Sequence, residues 1–252
     1  MNKFRNNIRQ SLLENAKKLC VFSDFDGTLV EFAERPEEVY VSPELTSTLK
    51  ILNDRAVMIL VTGRSISSVQ ERLSIPGFRI SGCHGVEHSD GSVAEMALTS
   101  KESVNITHQQ LEELLISYPG VWIEKKPYSF AVHYRSFTGN AGDMRRDIQC
   151  VITTLNAPLF ICDGTCVFEV CINGCNKGAA IDYWLSGSPA SDTIPVFVGD
   201  DVTDEFGFQA INSRGGVSIR IGFSSTSSAN YYFTGISEYL DFLEAVACSI
   251  TF

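Results

Sequence analysis

No stretch of this chain approaches the ~18 consecutive apolar residues that a membrane-spanning helix needs, so a helical membrane anchor is not expected within it. Positive charge is scarce as well: 20 Lys and Arg stand against 30 Asp and Glu, for a formal net charge of −10. That balance argues against nucleic acid as a partner. It also means that an anionic ligand must be captured by local positive groups, because the field of the whole molecule repels it. The opening MNKFRNNIRQSLLENAKKL lacks the apolar core of a secretory signal, so the expected location is the cytoplasm. Internal repeats and low-complexity segments are absent. Histidine is rare, with four in the chain, and none is interleaved with the cluster Cys162, Cys166, Cys171 and Cys175. Three residues separate the members of each cysteine pair, which together with the missing histidines argues against a zinc knuckle. The eight cysteines are therefore read as reduced and packed.

What is present begins with DFDGT at 24–28, one residue after the apolar run Leu19-Cys20-Val21-Phe22. A strand leaving a buried sheet would present Asp24 and Asp26 on one face at its carboxyl end, where open α/β sheets bind ligands. One carboxylate there can attack phosphorus and hold a metal while the other handles a proton. The apolar run 57–61 ends in Thr62-Gly63-Arg64, whose hydroxyl and backbone N–H groups suit phosphate oxygens. Asn176-Lys177-Gly178 opens a helix, and its lysine can balance charge on a nucleophile and a phosphoryl group. The run Pro195–Val198 leads into GDDVTDE at 199–205, four acids within six residues, which is a magnesium site by the preference of hard cations for oxygen. Thr203 is read as the N-cap of the following helix.

The coarse pattern is βαβα, which predicts a Rossmann-like parallel sheet with helices on both faces. Ser42-Pro43-Glu44 opens a helix to about Asp54 that buries Leu45, Leu49 and Leu52. Ser65 caps a helix ending near Leu73, and a last helix spans about 237–248. Asp24 to Thr62 is 38 positions and Lys177 to Asp200 is 23, but Thr62 to Lys177 is 115. The gap holds helix candidates at about 101–117 and 139–155 and at least three strand candidates. It predicts an inserted α+β cap over 104–171, with 1–103 and 172–252 forming the core. Within the cap, 128–135 alternates: Phe130, Val132 and Tyr134 face one way, and Ser129, Ala131, His133 and Arg135 the other. The polar set, with Glu169 opposite Phe168, suits a ceiling over the site.

These strings, with GCHGVE at 82–87, IEKK at 123–126, AVHYR at 131–135, FEV at 168–170 and GGVSIRIG at 215–222, resemble the haloacid dehalogenase superfamily and, within it, the trehalose-phosphatase family. The resemblance runs from about Phe22 to about Leu243. It implies Asp24 as nucleophile, Asp26 as general acid and base, and Thr62 and Lys177 as grips on the phosphoryl group. Mg²⁺ would be held by Asp24, the Asp26 carbonyl and Asp200, with Asp201 and Asp204 orienting waters and Lys177. Sugar recognition would fall to Glu124, Lys126 and Glu169, with Phe25, Arg64, His84 and Glu87 on the core side and His133 and Arg135 in the cap. The implied activity is hydrolysis of a small sugar phosphate, trehalose 6-phosphate, to trehalose and phosphate through an aspartyl-phosphate, with a separate trehalose-6-phosphate synthase chain as functional neighbour. Two departures stand out. Thr165 replaces a basic residue, and 170–174 lacks the lysine- and proline-containing pattern of bacterial relatives. Rival readings are a phosphatase for sucrose 6-phosphate or a glycosyl phosphoglycerate, a phosphomutase, and a non-catalytic sugar-phosphate-binding protein.

Overall fold

The computed structural model describes residues 1–4, 6–33, 35–55, 57–164, 166–187 and 193–251, less the side chains of residues 6, 36, 57 and 251. In chain order its elements are β1 (Asn2–Lys3), α1 (Asn6–Glu14), β2 (Leu19–Ser23), α2 (Pro43–Arg55), β3 (Val57–Val61), α3 (Ile66–Gln70), β4 (Arg79–Gly82) and β5 (Glu87–His88). There follow α4 (Glu95–Leu115), β6 (Trp122–Lys125), β7 (Phe130–His133), α5 (Ala141–Thr154), β8 (Leu159–Gly164) and β9 (Val167–Ile172). The chain finishes with α6 (Lys177–Ser186), β10 (Ile194–Gly199), α7 (Glu205–Ser213), β11 (Val217–Ile221), β12 (Tyr231–Phe233) and α8 (Ile236–Thr251).

Eight strands form one sheet in the order β1-β12-β11-β10-β2-β3-β4-β5. All of its pairs are parallel except β4 with β5. From β2 the chain winds outward through β3 and β4, and from β10 it winds the other way through β11 and β12. The order reverses between β2 and β10, which is where such sheets open a crevice at their carboxyl ends. Strand β2 reads LCVFS without a polar alternation because helices cover both of its faces. Leu19 and Val21, with Met58 and Leu60 of β3, pack under Leu49 and Leu52 of α2 and Phe242 and Leu243 of α8. Cys20 and Phe22, with Ile59 and Val61, pack under Ala180 and Ile181 of α6 and Phe208 and Ile211 of α7.

A second sheet, β6-β7-β9-β8, is antiparallel throughout. Its apolar face carries Phe130, Val132, Phe168 and Val170, which pack with Val104 and Leu111 of α4 and Met144 and Ile148 of α5. The parallel α/β architecture is thus as expected from the sequence. Element bounds differ in places. Helix α4 begins at Glu95, ahead of the expected start near 101, because Ala97 and Ser100 continue its buried stripe, so position 104 falls inside it. Helix α3 stops at Gln70 and α8 runs on to Thr251. Among the described residues no helix is long and apolar enough to cross a membrane. The eight cysteines are free thiols; Cys20, Cys83, Cys171 and Cys175 are buried, whereas Cys150 and Cys248 are exposed.

Candidate active site

Asp24 follows the last residue of β2, and its backbone N–H donates to Val198 of β10 at 2.9 Å. Asp200 follows the last residue of β10. The adjacency of these two strands therefore brings together carboxylates 176 positions apart. Oxygens of Asp24, Asp200 and Asp204 lie within 4.8 Å of one another. Gly27, at φ +76°, closes the turn after the second aspartate, and a Cβ there would stand 2.4 Å from Asp200 Oδ2. Only glycine lets this turn lie so close to Asp200.

Lys177, the first residue of α6, reaches into the cluster. Its Nζ lies 2.9 Å from Asp24 Oδ2 and donates to Asp204 Oδ1 at 2.7 Å. Burial alone would favour a neutral amine, but Asp204 and Asp24 outweigh it and hold the lysine charged. Asp204 is fully engaged, since its Oδ2 accepts the N–H groups of Asp200 and Asp201 at 3.0 and 2.9 Å. Even so, burial and the neighbouring acids raise Asp24 well above the usual carboxylate range. Burial first, then the charge of Asp204, push Asp200 up to about 7. Three acids and one lysine leave an excess of negative charge among oxygen donors, which is the donor set of a hard divalent cation. The cluster fits magnesium through Asp24 and Asp200. Asp204 is spent on Lys177 and the loop backbone.

Two neighbouring expectations change. Asp201 does not reach Lys177; its side chain accepts from Val202 N–H and forms a reciprocal cap with Asp204 around a single 3-10 turn over Val202–Asp204. Thr203 lies inside that turn, so it caps neither element: Asp201 caps the turn and Asp204 occupies the N-cap position of α7.

The side of the crevice formed by β3 and β4 carries the remaining core residues. Thr62 Oγ1 accepts from Arg64 N–H at 3.1 Å. Arg64 grips both Asp26 oxygens at 2.7 Å and lies over the Phe25 ring, 5.5 Å from its centre. Phe25 is itself fully buried, so its side chain is core rather than a ligand contact. Glu87 accepts from Ile66 N–H at 2.7 Å, which commits it to the start of α3. Cys83 and His84 both sit at positive φ, 48° and 56°, ahead of Gly85 at 91°. Non-glycine residues held in that region mark a strained turn, and here it aims His84 toward the second sheet. Gly63 makes room for the ring, because a Cβ there would come within 2.6 Å of His84 Nε2.

The polar face of the second sheet meets this crevice. Glu124, Ala131, Glu169 and Cys162 form one row across its four strands. Lys126 Nζ donates to both Glu169 oxygens, at 3.0 and 3.2 Å. Burial opposes charge on either partner, but their mutual attraction wins, raising the lysine and depressing the acid. Glu124 Oε2 lies 2.9 Å from His133 Nε2, and Trp122 stacks on that imidazole at 4.0 Å. Glu169 Oε2 stands 3.7 Å from His84 Nε2, linking the two layers. A narrow cleft between them is lined by Lys177 and His84 below and by Phe160, Cys162 and Cys171 above. Arg135 is exposed beyond the end of β7 and has no ion-pair partner among the described residues. Thr165, the departure noted in sequence, lies outside the described residues. The Glu169–His84 approach has no sequence signal, because it joins elements 85 positions apart in the chain.

The trehalose-phosphatase family model matches residues 22–237. Trehalose-6-phosphate phosphatase of Escherichia coli (strain K12) is 31% identical over 241 residues, covering 94% of this chain and 90% of that protein. The probable trehalose-phosphate phosphatase of Sinorhizobium fredii is 34% identical over 207 residues, covering 81% of this chain and 77% of that one. Among solved structures, the C-terminal domain of Candida albicans trehalose-6-phosphate phosphatase superposes with a TM-score of 0.84 at 19% identity, covering 98% of this chain and 99% of that chain. With a family match over most of its length and a relative 31% identical across 94% of it, the chain belongs to the trehalose-phosphatase family.

Proposed function

We propose that this protein is a magnesium-dependent phosphatase that hydrolyses trehalose 6-phosphate to trehalose and phosphate in the cytoplasm, with its substrate supplied by a separate synthase. The observation that carries the reading is the meeting of Asp24, Asp200 and Asp204 at the switch between β2 and β10, with Lys177 at 2.9 Å from Asp24. Asp24 attacks phosphorus in line and forms an aspartyl-phosphate as the sugar oxygen leaves. Asp26 protonates that oxygen and later takes a proton from the water that cleaves the acyl phosphate. Arg64 holds Asp26 with two bonds; it frees the carboxyl by turning toward the incoming phosphate, a better bidentate partner. Thr62 and Lys177 bind phosphoryl oxygens. Magnesium, when bound by Asp24 and Asp200, offsets repulsion between the carboxylate and the phosphate dianion.

The four-stranded layer with α4 and α5 acts as the cap. Its buried Lys126–Glu169 pair and the Glu124–His133 pair offer fixed donors and acceptors to a sugar that bears only hydroxyls. A sugar that leaves them unmet is penalised. The test is Asp24→Asn assayed on trehalose 6-phosphate, sucrose 6-phosphate and an aryl phosphate. Loss of all turnover with an unchanged fold and wild-type preference for trehalose 6-phosphate are expected. Retained turnover would remove Asp24 as nucleophile, and a preference for sucrose 6-phosphate would reassign the substrate.

A further inference from the structure

Away from the acid cluster the cleft holds a second set of donors, of which the phosphatase reading assigns Glu169 to the sugar and leaves the soft donor, a cysteine, unused. His84, Glu169 and Cys171 each offer one ligand atom, and the three atoms lie within 4.8 Å of one another. His84 is 5% exposed, and its Nε2 is buried without a hydrogen-bond partner. Nε2 stands 3.7 Å from Glu169 Oε2, beyond hydrogen-bond length. That gap is close to the ~3.4 Å expected between two ligand atoms each ~2.1 Å from one tetrahedral ion. Cys171 lies two residues beyond Glu169 on β9, on the same sheet face. Cys162 stands opposite Glu169 on β8, and both cysteines line the cleft that His84 enters.

We propose that His84, Glu169 and Cys171 form a second metal site, selective for zinc or a similar borderline-soft ion, whose occupation pins the two layers together and shuts the cleft. Selectivity follows from the donors. Imidazole nitrogen and thiolate sulfur favour zinc, whereas the all-oxygen acid cluster favours magnesium. Cys171 loses its proton to solvent as the sulfur–metal bond forms, so the thiolate and the Glu169 carboxylate together match the ion's charge. Lys126 keeps its closer contact with Glu169 Oε1, at 3.0 Å, leaving Oε2 for the ion. The fourth position falls to Cys162 or water. Because His84 comes from the strained turn after β4 and the other two ligands come from β9, the ion bridges the layers at the point where the sugar would enter. The zinc reading that cysteine spacing disfavours reappears here because the fold supplies a histidine from 87 positions away.

The test titrates the full chain with Co²⁺ in saturating Mg²⁺. A thiolate-to-cobalt charge-transfer band that saturates at one ion per chain and is bleached by Zn²⁺ is expected, and it is lost in Cys171→Ala. In the phosphatase assay, Cys171→Ala should keep the basal rate and require about tenfold more zinc, or beyond, for half-inhibition. No band in the wild type overturns the site, and this holds even if the variant does not fold. A band retained in Cys171→Ala also overturns it by assigning the metal to other thiols. Equal zinc sensitivity of both proteins overturns the closure. The optical readout needs no turnover, so it stands or falls independently of the phosphatase reading on which the inhibition rests.

Discussion

Asp200 is the residue at which charge and burial meet the proposed magnesium site. In the folded chain its carboxyl is pushed up to about 7 by burial and by Asp204, against the pull of Lys177. An acid raised in this way favours the fold while it is protonated. That contribution is complete below the unfolded value of about 3.9 and is lost as pH rises through about 7. A bound cation reverses the balance because it takes the ionised form. Magnesium affinity measured by calorimetry should therefore weaken about tenfold from about pH 8 to about pH 6, and equal affinities would remove Asp200 as a ligand. Residues such as Asp24 and Asp200 are legible in sequence because each stands one residue past an apolar run. Glu87 is not: its bond to Ile66 N–H joins turns 21 positions apart, and a carboxylate in a family string does not reveal which backbone it will cap. Phe25 misleads in the same way, since a residue between two functional acids alternates into the core.

Among the elements, the second sheet divides its labour by the pleat. Alternation in 128–135 is readable because Phe130 and Val132 must be covered by α4 and α5. What alternation cannot tell is whether the other face meets solvent or protein. Here it meets the crevice, and that makes the Lys126–Glu169 pair a buried one, with side chains 9% and 14% exposed. Lys126→Ala leaves Glu169 with an unpaired charge at the ceiling. We expect a loss of about tenfold or more in kcat/KM on trehalose 6-phosphate, in line with charged hydrogen bonds of ~1.5–3 kcal/mol. Turnover of a small aryl phosphate should be little changed, and parallel losses on both substrates would place Lys126 outside sugar recognition. Helix α4 is legible only from its middle, because its first turn exposes Met96 and Leu98 and hides the buried stripe that Ala97 begins.

The whole molecule has separate apolar centres for its two layers. The large sheet carries one on each face, and the four-stranded sheet carries its own between β-strands and α4 and α5. On the proposed function, chemistry and selectivity would then fall to different packing units. Ile148→Val, a cavity of one methyl in the second layer, should cost ~0.5–1.5 kcal/mol of that layer's stability, read from a denaturant midpoint. It should leave aryl phosphate turnover unchanged, and an equal fall in aryl and sugar phosphate rates would mean that the layers do not act separately.

The central place of β2 has a consequence for synthesis. β2 is hydrogen-bonded to β3 on one side and to β10 on the other. Residues 62–193 must be made between those two partners, which at ribosomal speed takes on the order of ten seconds. Throughout that interval the apolar ribbon Leu19–Ser23 presents an open edge that can template pairing with a neighbouring nascent chain. Residues 95–172, by contrast, contain every strand and helix of the smaller layer in one continuous stretch. The smaller layer can thus be finished while β2 still lacks β10, so the interval before β10 is made is when this edge is most open to mispairing.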